Sequence, residues 1–337
     1  MISKLLSKLF VVGSLAAASF LTSCSTDIDL LEDYKPITIV YGLLDVNDSI
    51  QYIKVNKAFL GEGNALVMAQ QRDSINYKPG EITVEIQRIS PSTGEVLQTI
   101  TCDTTTQILK DDGIFYSPYQ TLFQTTAAIN EDGIYKLVVH RSIDGALITG
   151  VTPVVNHVTV TNPDPQFPGA QISFYNVNTQ TYQTYNIRWR QAADAEIYSA
   201  RLRFTYYDSL LISPFTKDTI TLEMNLPDVS AGSTPVGQEK VLPVNGESFF
   251  AFIESSVQAN PNRLRFADDY LELIMSAGAE DLNTYIEINK PSIGLIQEKP
   301  VFTNITNGTG IFSSRWSSVM KHKMSSGTVS KANQVIN

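Results

Sequence analysis

Hydrophobic and polar residues alternate in several segments of the chain, which is the pattern of β-strands with one buried and one solvent-facing side. The clearest segments are residues 82–87, 198–206 and 220–226, where aliphatic and aromatic residues alternate mostly with polar ones. β-branched and aromatic residues are enriched in strands. The pattern therefore predicts a mainly β protein.

Turn signals separate the predicted strands. Asx-Gly pairs supply the positive φ angles that tight hairpins need, and short strands divided by such turns favour β-sandwiches or barrels. The signals are Ser92–Gly94, Asp112-Gly113, Asp132-Gly133, Asp144-Gly145, Asn245-Gly246 and Asn307-Gly308.

A proline-rich segment divides the predicted strands into two groups. Residues 162–169 contain three prolines and a glycine, a composition that excludes a helix or a central strand. We interpret this segment as a linker between a first domain, residues 36–161, and a second domain, residues 170–315. Each domain is long enough for its own core, so the sequence predicts two β-sandwich-like domains.

Helical spacing is found only in short segments. Apolar residues between 282 and 289 recur with helical spacing and are followed by Pro291, which predicts one short helix in the second domain. A similar pattern at residues 65–71 is too short to be decisive. Residues 316–337 are rich in serine and lysine, and we expect them to form a polar, frayed tail.

The first residues resemble the leader of a bacterial lipoprotein. Two lysines precede a mostly apolar stretch, residues 9–21, which is shorter than a membrane-spanning helix needs. Leu21-Thr22-Ser23-Cys24 then resembles a lipobox, so we expect residues 1–23 to be removed and Cys24 to carry lipid such as palmitate. The alternative is a soluble secreted protein in which this cysteine has no special role.

Residues 24–35 form the predicted tether after the lipid anchor. They carry four acidic residues and resemble the acidic tract of some surface-exposed Bacteroidota lipoproteins. This resemblance favours the cell surface over the periplasmic face of the outer membrane. The alternative is that the acidic residues only keep the tether solvated.

Charge and cysteine content exclude some classes of function and of covalent crosslink. Lys and Arg number 25 against 34 Asp and Glu, and the net charge of −9 argues against a nucleic-acid partner. If Cys24 is lipidated, Cys102 is the only free thiol and no intrachain disulfide can form. No basic residue flanks Cys102, so we expect a buried, unreactive thiol.

The sequence lacks the usual catalytic and metal-binding patterns. His140, His157 and His322 do not have the spacing of paired metal ligands, and no Gly-x-Ser-x-Gly turn is present. Asp111-Asp112-Gly113 and Glu131-Asp132-Gly133 fit hairpin turns better than calcium loops. We therefore expect no catalytic residue, no metal, no cofactor and no enzymatic activity.

Several stretches resemble an uncharacterised family of Bacteroidota outer-membrane lipoproteins. The resemblance implies an immunoglobulin-like first domain and a gene position beside TonB-dependent receptors, but no catalytic residue, because the family has no established chemistry. Residues 58–78 are an insertion relative to it. The stretches that carry the resemblance are Tyr34–Leu44, Gly133–Val139, Thr149–Pro153 and Pro300–Phe312.

The last of these stretches contains the most specific string, Asn-Gly-x-Gly-Ile-Phe, at residues 307–312. Glycines allow sharp changes of backbone direction. We expect them to form a turn after which Ile311 and Phe312 are buried in the second core.

An Asp-Ser/Thr motif recurs along the chain and resembles the O-glycosylation acceptor of exported Bacteroidota proteins. The structural alternative is that the aspartate opens a turn before a strand, and both can hold together. The candidate acceptors are Ser49, Ser74, Thr104, Ser209 and Thr219.

Together these features predict a non-enzymatic outer-membrane lipoprotein that binds a protein partner, namely a β-barrel complex of the TonB-dependent receptor type. One alternative is a glycan-binding or adhesin-like surface module, and another is an accessory subunit of outer-membrane assembly or secretion machinery. A group of tyrosines in the second domain could serve sugar or protein contacts, although core positions are commoner in sheets. They are Tyr175, Tyr182, Tyr185, Tyr206 and Tyr207.

Overall fold

The described part of the chain is mainly β-strand. The computed structural model describes residues 37–58, 64–167, 169–210, 217–258, 260, 262–290 and 300–337. In chain order the strands are β1 (Thr38–Asp45), β2 (Gln51–Lys57), β3 (Ile82–Ile89), β4 (Val96–Thr101), β5 (Asp103–Thr105), β6 (Leu122–Thr125), β7 (Ile134–Arg141), β8 (Ala146–Pro153), β9 (Val160–Asn162), β10 (Tyr175–Asn176), β11 (Thr181–Tyr182), β12 (Thr184–Arg190), β13 (Ile197–Leu210), β14 (Lys217–Asn225), β15 (Val229–Ser230), β16 (Glu239–Asn245), β17 (Arg263–Gly278), β18 (Ile305–Thr306) and β19 (Gly308–Lys323).

Among the described residues, the largest sheet has nine strands and includes segments from both predicted domains. Its order is β14-β13-β17-β19-β1-β2-β6-β5, with β15 paired to β13. A five-stranded sheet has the order β18-β8-β7-β3-β4, a three-stranded sheet has the order β16-β12-β9, and β10 pairs with β11. The large sheet thus provides a common layer for the whole described chain.

Two hydrophobic cores lie between these sheets. The first core joins residues of β1 and β2 to residues of β3, β7 and β8, and includes the buried thiol of Cys102, whose pKa burial raises to about 12. The second core joins β13 and β17 to β12 and β16. This sandwich-type packing confirms the predicted mainly β fold class, whereas the immunoglobulin-like character of the first half stays a prediction.

The change from one core to the other occurs before the proline-rich segment. Val154 belongs to the first core, whereas Val155, Val158 and Val160 belong to the second. β9 reaches Asn162 and pairs with β12, so the beginning of the predicted linker is already part of the second sandwich. Since β19 also pairs with both β1 and β17, the two halves share a sheet rather than being joined by a linker alone.

The Asn-Gly-x-Gly-Ile-Phe string lies where β19 begins, alongside β1. The two strands are parallel, with Gly308 opposite Thr38 and Gly310 opposite Val40. Ile311 and Phe312 are both buried, as predicted. The prediction that they belong to the second core is wrong for Phe312, which packs in the first core because the start of β19 completes the first sandwich.

Gly310 makes this close pairing possible. Its φ is +108°, and a Cβ atom at this position would lie 2.0 Å from the carbonyl oxygen of Val40. A residue with a side chain rarely adopts such a φ, and the oxygen belongs to the paired strand. The glycine therefore meets two demands at once, the backbone conformation and the approach of β1.

Five helices lie in the described residues: one matches the clear prediction, one overlaps the short pattern at 65–71, and three were not predicted. The predicted helix at 282–289 is confirmed and the short pattern at 65–71 is also helical, but the prediction of one helix in the second half is wrong. The helices are α1 (Ala65–Ala69), α2 (Arg72–Ile75), α3 (Gly246–Ser256), α4 (Glu280–Asn289) and α5 (Ser326–Ile336).

Helix α3 replaces a predicted hairpin turn. The side chain of Asn245 accepts hydrogen bonds from the backbone N–H groups of Glu247 and Ser248, which is the geometry of a helix N-cap. Phe249, Phe250 and other residues of α3 then pack in the second core. An Asx residue can open a helix as well as a turn, and here the apolar residues that follow decide between them.

The predicted polar tail is wrong for residues 316–337. β19 continues to Lys323, and α5 follows it with Ala332 and Ile336 buried in the second core. The Thr328 hydroxyl accepts a 2.8 Å hydrogen bond from the backbone N–H of Phe174, which holds the helix against the segment that precedes β10. A few small and aliphatic residues, spaced along one helix face, are enough for this docking.

Replacing Gly310 by alanine should lower the free energy of unfolding by about 3 kcal/mol, because it adds both backbone strain and a clash with Val40. Gly145 is the matched control: it also has a positive φ, but nothing lies within 4 Å of a Cβ added there. Gly145→Ala should cost only about 1 kcal/mol. Urea titration measures both values, and equal losses would contradict the role of the β1 contact.

The burial of His322 on β19 predicts a pH-dependent stability. Burial lowers the pKa of this imidazole, so the folded protein disfavours its charged form. The unfolding free energy should be highest above the unfolded-state pKa of about 6.5 and should decrease as pH falls through the lower, folded-state pKa. His322→Gln should reduce this dependence when urea titrations are compared between pH 8 and pH 5. An identical dependence in both proteins would refute the prediction.

Candidate functional site

The predicted modification sites lie on separate elements of the structure. Cys24 falls outside the described residues. Among the five glycosylation candidates, Ser49 in the β1–β2 loop, Thr104 in β5 and Thr219 in β14 are exposed, whereas Ser74 in α2 and Ser209 in β13 are half-buried. Their modification stays a prediction.

The aspartate before Ser209 has a structural role of its own. Asp208 lies within β13, not in a turn, and is buried with its carboxylate oxygens 2.9 Å from Nε of Arg263 and 3.2 Å from Nε of Arg265. The alternative in which the aspartate opens a turn is therefore wrong at this site. A buried carboxylate needs such cationic partners to offset its lost hydration.

The tyrosines of the second half do not form one surface. Tyr206 is buried in the second core, whereas its neighbour Tyr207 faces the other side of β13 and donates a hydrogen bond to Asp268. Tyr175 and Tyr182 form a separate aromatic pair, which Lys331 covers. This group therefore offers no shared binding site.

The histidines are also apart from one another. His140 is exposed on β7, His157 packs edge-on against Trp316, and His322 is buried on β19 rather than in a tail. Within the described ranges, no group of three or more His, Cys, Asp or Glu side chains is placed to hold a metal ion.

A cleft that the sequence did not indicate lies on the outer face of the nine-stranded sheet. On β1, Val40 faces the first core, so its neighbours Ile39 and Tyr41 face outward. On β2, Lys54 and Asn56 face outward as well, because they alternate with buried residues. These four side chains form the floor of a cavity of about 450 Å³. Its size is within the range of small-molecule sites.

Ile75 and Asn76, near the end of the predicted insertion, form one wall of this cleft. Asn56 on the floor donates hydrogen bonds to the carbonyl oxygen of Ile75 at 2.9 Å and to Oδ1 of Asn76 at 3.1 Å. These bonds fold the end of the insertion back over β2. The part of the sequence that departs from the family resemblance thus contributes to the site.

A loop at residues 106–121 builds the opposite wall. The backbone N–H of Lys110 donates to the carbonyl oxygen of Pro118 at 2.7 Å, which closes the loop on itself. The N–H of Tyr116 donates to the carbonyl oxygen of Ala69 at 2.8 Å, which ties the loop to α1. One backbone hydrogen bond therefore connects the loop to the segment that includes α1 and the opposite wall.

Aromatic rings dominate the lining of the cleft. Tyr41 on the floor is 43% exposed, and Phe115 and Tyr119 in the loop are 48% and 58% exposed. Tyr116 lines the same cavity, and Tyr285 of α4 contacts the edge of Tyr41 with ring centroids 6.5 Å apart. Solvent-facing rings gathered in a concave site are typical of binding surfaces.

Lys54 and Lys110 give the cleft a positive charge. Nζ of Lys54 donates to Oε1 of Gln120 at 3.1 Å, and burial together with the charge of Lys110 lowers the pKa of Lys54. Nζ of Lys110 lies 5.2 Å from the ring centre of Phe115. Lys57 also lines the cavity, but its Nζ lies over the ring of Tyr77, at the side of β2 that faces the first core. None of the three forms an ion pair with a carboxylate of the described residues.

We define the aromatic cleft by its rings and its cations. The one sequence signal that could have indicated it is the loop Phe115-Tyr116-Ser117-Pro118-Tyr119, because three aromatic residues in a segment broken by proline are unusual outside a core. The cleft consists of Tyr41, Lys54, Lys57, Lys110, Phe115, Tyr116, Tyr119 and Gln120.

Comparison with known proteins assigns no family to this chain. No family model and no curated protein matches it. Among solved structures, it is similar to the C-terminal globular domain of an oligosaccharyltransferase from Pyrococcus abyssi, at 10% identity over 88% of this chain with a TM-score of 0.24. The chain spans about half, 52%, of that structure's chain. No helix in the described part is both long and apolar enough to span a bilayer.

Proposed function

We propose that this chain is a non-enzymatic binding module that uses the aromatic cleft as its ligand site. The observation that supports this role is the cleft itself: exposed rings, and lysines that form no ion pair with a carboxylate of the described residues, face one concave space of about 450 Å³. Exposed aromatic surface costs solvation free energy, and clustered like charges repel each other. An occupant that covers the rings and neutralises the lysines removes both costs.

The proposal includes the anchor and the location expected from the sequence. Lipid on Cys24 holds the module on the outer membrane, with the cell surface favoured over the periplasmic face. Several acyl chains on one cysteine provide enough buried CH₂ groups for stable attachment. The module then meets its partners within the plane of the membrane.

The partner is an outer-membrane β-barrel complex of the TonB-dependent receptor type. What supports a protein contact is the apolar rim around the cleft, which we define as Leu66 and Val67 of α1 with Ile108, Leu109 and Ile114 of the loop. All five side chains are exposed. Exposed apolar side chains concentrated in two neighbouring segments are typical of protein interfaces.

The lipid anchor predicts a simple change of fractionation. Cys24→Ala should abolish incorporation of an alkyne-labelled fatty acid and move the protein from the membrane fraction to the soluble fraction. Cys102→Ala is the control, because its buried thiol is expected to carry no lipid, and it should fractionate like the wild type. Labelling of the Cys24→Ala protein at the wild-type level would contradict the proposed anchor.

The binding role predicts position-specific crosslinks. A benzophenone amino acid placed at Leu66 on the apolar rim, or at Tyr119 in the cleft, should crosslink to an outer-membrane β-barrel protein in intact cells. Val236 is the control position, because it is equally well exposed but belongs to neither surface. Mass spectrometry identifies the captured protein. Two results would overturn the proposed contact: a barrel protein crosslinked at Val236 with the same yield, or no barrel protein crosslinked at any of the positions.

A further inference from the structure

We propose that the aromatic cleft binds an anionic saccharide, namely a sugar chain that bears carboxylate or sulfate groups. This inference rests on the proposed function, because it names the ligand class of the same site. The surface combines rings, amides and ammonium groups, and each of these matches one part of such a ligand.

The position of the cleft on a sheet face favours side-chain recognition over peptide binding. β1 pairs with β2 on one side and with β19 on the other, and β2 pairs with β6 up to Ile53 and forms a single bridge from Asn56 to Asn76, so most backbone groups of the floor are used. An extended peptide gains much of its affinity by adding a strand to an open sheet edge. The floor leaves open only the short end of β2 beyond Ile53, which the Asn56–Asn76 bridge already crosses, so a ligand there is held mainly by side chains.

The rings of Tyr41 and Tyr119 are suited to the apolar faces of sugar rings. They stand on opposite parts of the cavity, one on the floor and one in the loop wall, and both are substantially exposed. Rigid, amphipathic tyrosines bury a large area at a low cost in conformational entropy. Gln120 lines the same cavity, and while its Oε1 accepts from Lys54, its Nε2 can donate to a sugar hydroxyl.

The lysines distinguish an anionic sugar from a neutral one. The whole chain has a net charge of −9, yet Lys54 and Lys110 face this cavity without a carboxylate partner among the described residues. Burying one ammonium beside another is unfavourable unless an anion lies between them. A carboxylate or sulfate on the ligand would meet this requirement and form charge-assisted hydrogen bonds.

Calorimetry with the full chain in detergent tests this inference. The probes are a galacturonic acid trisaccharide, its neutral methyl ester, a sulfated galactose trisaccharide and a hexaglutamate peptide. We expect at least one of the two anionic sugars to bind, and the arm that binds distinguishes carboxylate from sulfate as the recognised group. The methyl ester and the peptide should bind at least about tenfold more weakly.

Variants then locate the binding site. Lys110→Met and Tyr119→Ala should each weaken binding of the anionic sugar about tenfold, a loss typical of a charge-assisted or stacking contact. Lys321→Met is the matched control, because Lys321 also covers an aromatic ring, that of Tyr270 at 5.1 Å, but lies outside the cleft. It should bind like the wild type. Circular dichroism verifies that each variant is folded.

The outcomes separate the ligand class from the proposed function. Binding of an anionic sugar that Lys110→Met and Tyr119→Ala weaken, and Lys321→Met does not, supports the inference. Preferential binding of hexaglutamate or of the methyl ester overturns the anionic-saccharide class while leaving the cleft as a binding site. Absence of binding by every probe also overturns the ligand class. The proposed function is tested separately, because it is overturned when no barrel protein is crosslinked at Leu66 and Tyr119.

Discussion

The parallel pairing of β1 with β19 is the interaction on which the rest of the fold depends. Its two strands are far apart in the sequence, and β19 continues from this pairing into its pairing with β17, so one strand contributes to both cores. At the change-over, the Ser314 hydroxyl accepts from the N–H of Val155 at 3.0 Å and donates to the carbonyl oxygen of Pro153 at 2.7 Å. These bonds hold the end of β8 and the residues after it against β19, and they join the two sandwiches at this point.

The aromatic cleft depends on the same central strands. Its floor is the outer face of β1 and β2, whose inner face is packed in the first core, so the floor is as rigid as the sheet. Its walls are two segments outside the sheet. Hydrogen bonds connect them to the sheet and to each other. A binding site made of variable segments on a rigid sheet is a common arrangement, because such segments can change without loss of the core.

Sequence patterns predicted the elements whose structure depends on local alternation, and they failed where distant packing decides. The strands around 82–87, 198–206 and 220–226 are present, and so is the helix that begins at Glu280. Asn245-Gly246 begins a helix and residues 326–336 form one, because the second core offers each an apolar surface. Asp208 likewise became part of a buried ion cluster that only the pairing of β13 with β17 creates.

By itself, the sequence determined the mainly β character, the positions of many strands and turns, the excess of acidic residues and the motif around Cys24, since these are properties of neighbouring residues. The tertiary structure alone decided that one strand joins two cores and that an acidic chain carries a positive, aromatic cleft. The physical reason is distance along the chain. The residues that line the cavity come from β1, β2, the predicted insertion and the loop at 106–121. Only sheet pairing brings these segments together around one cavity.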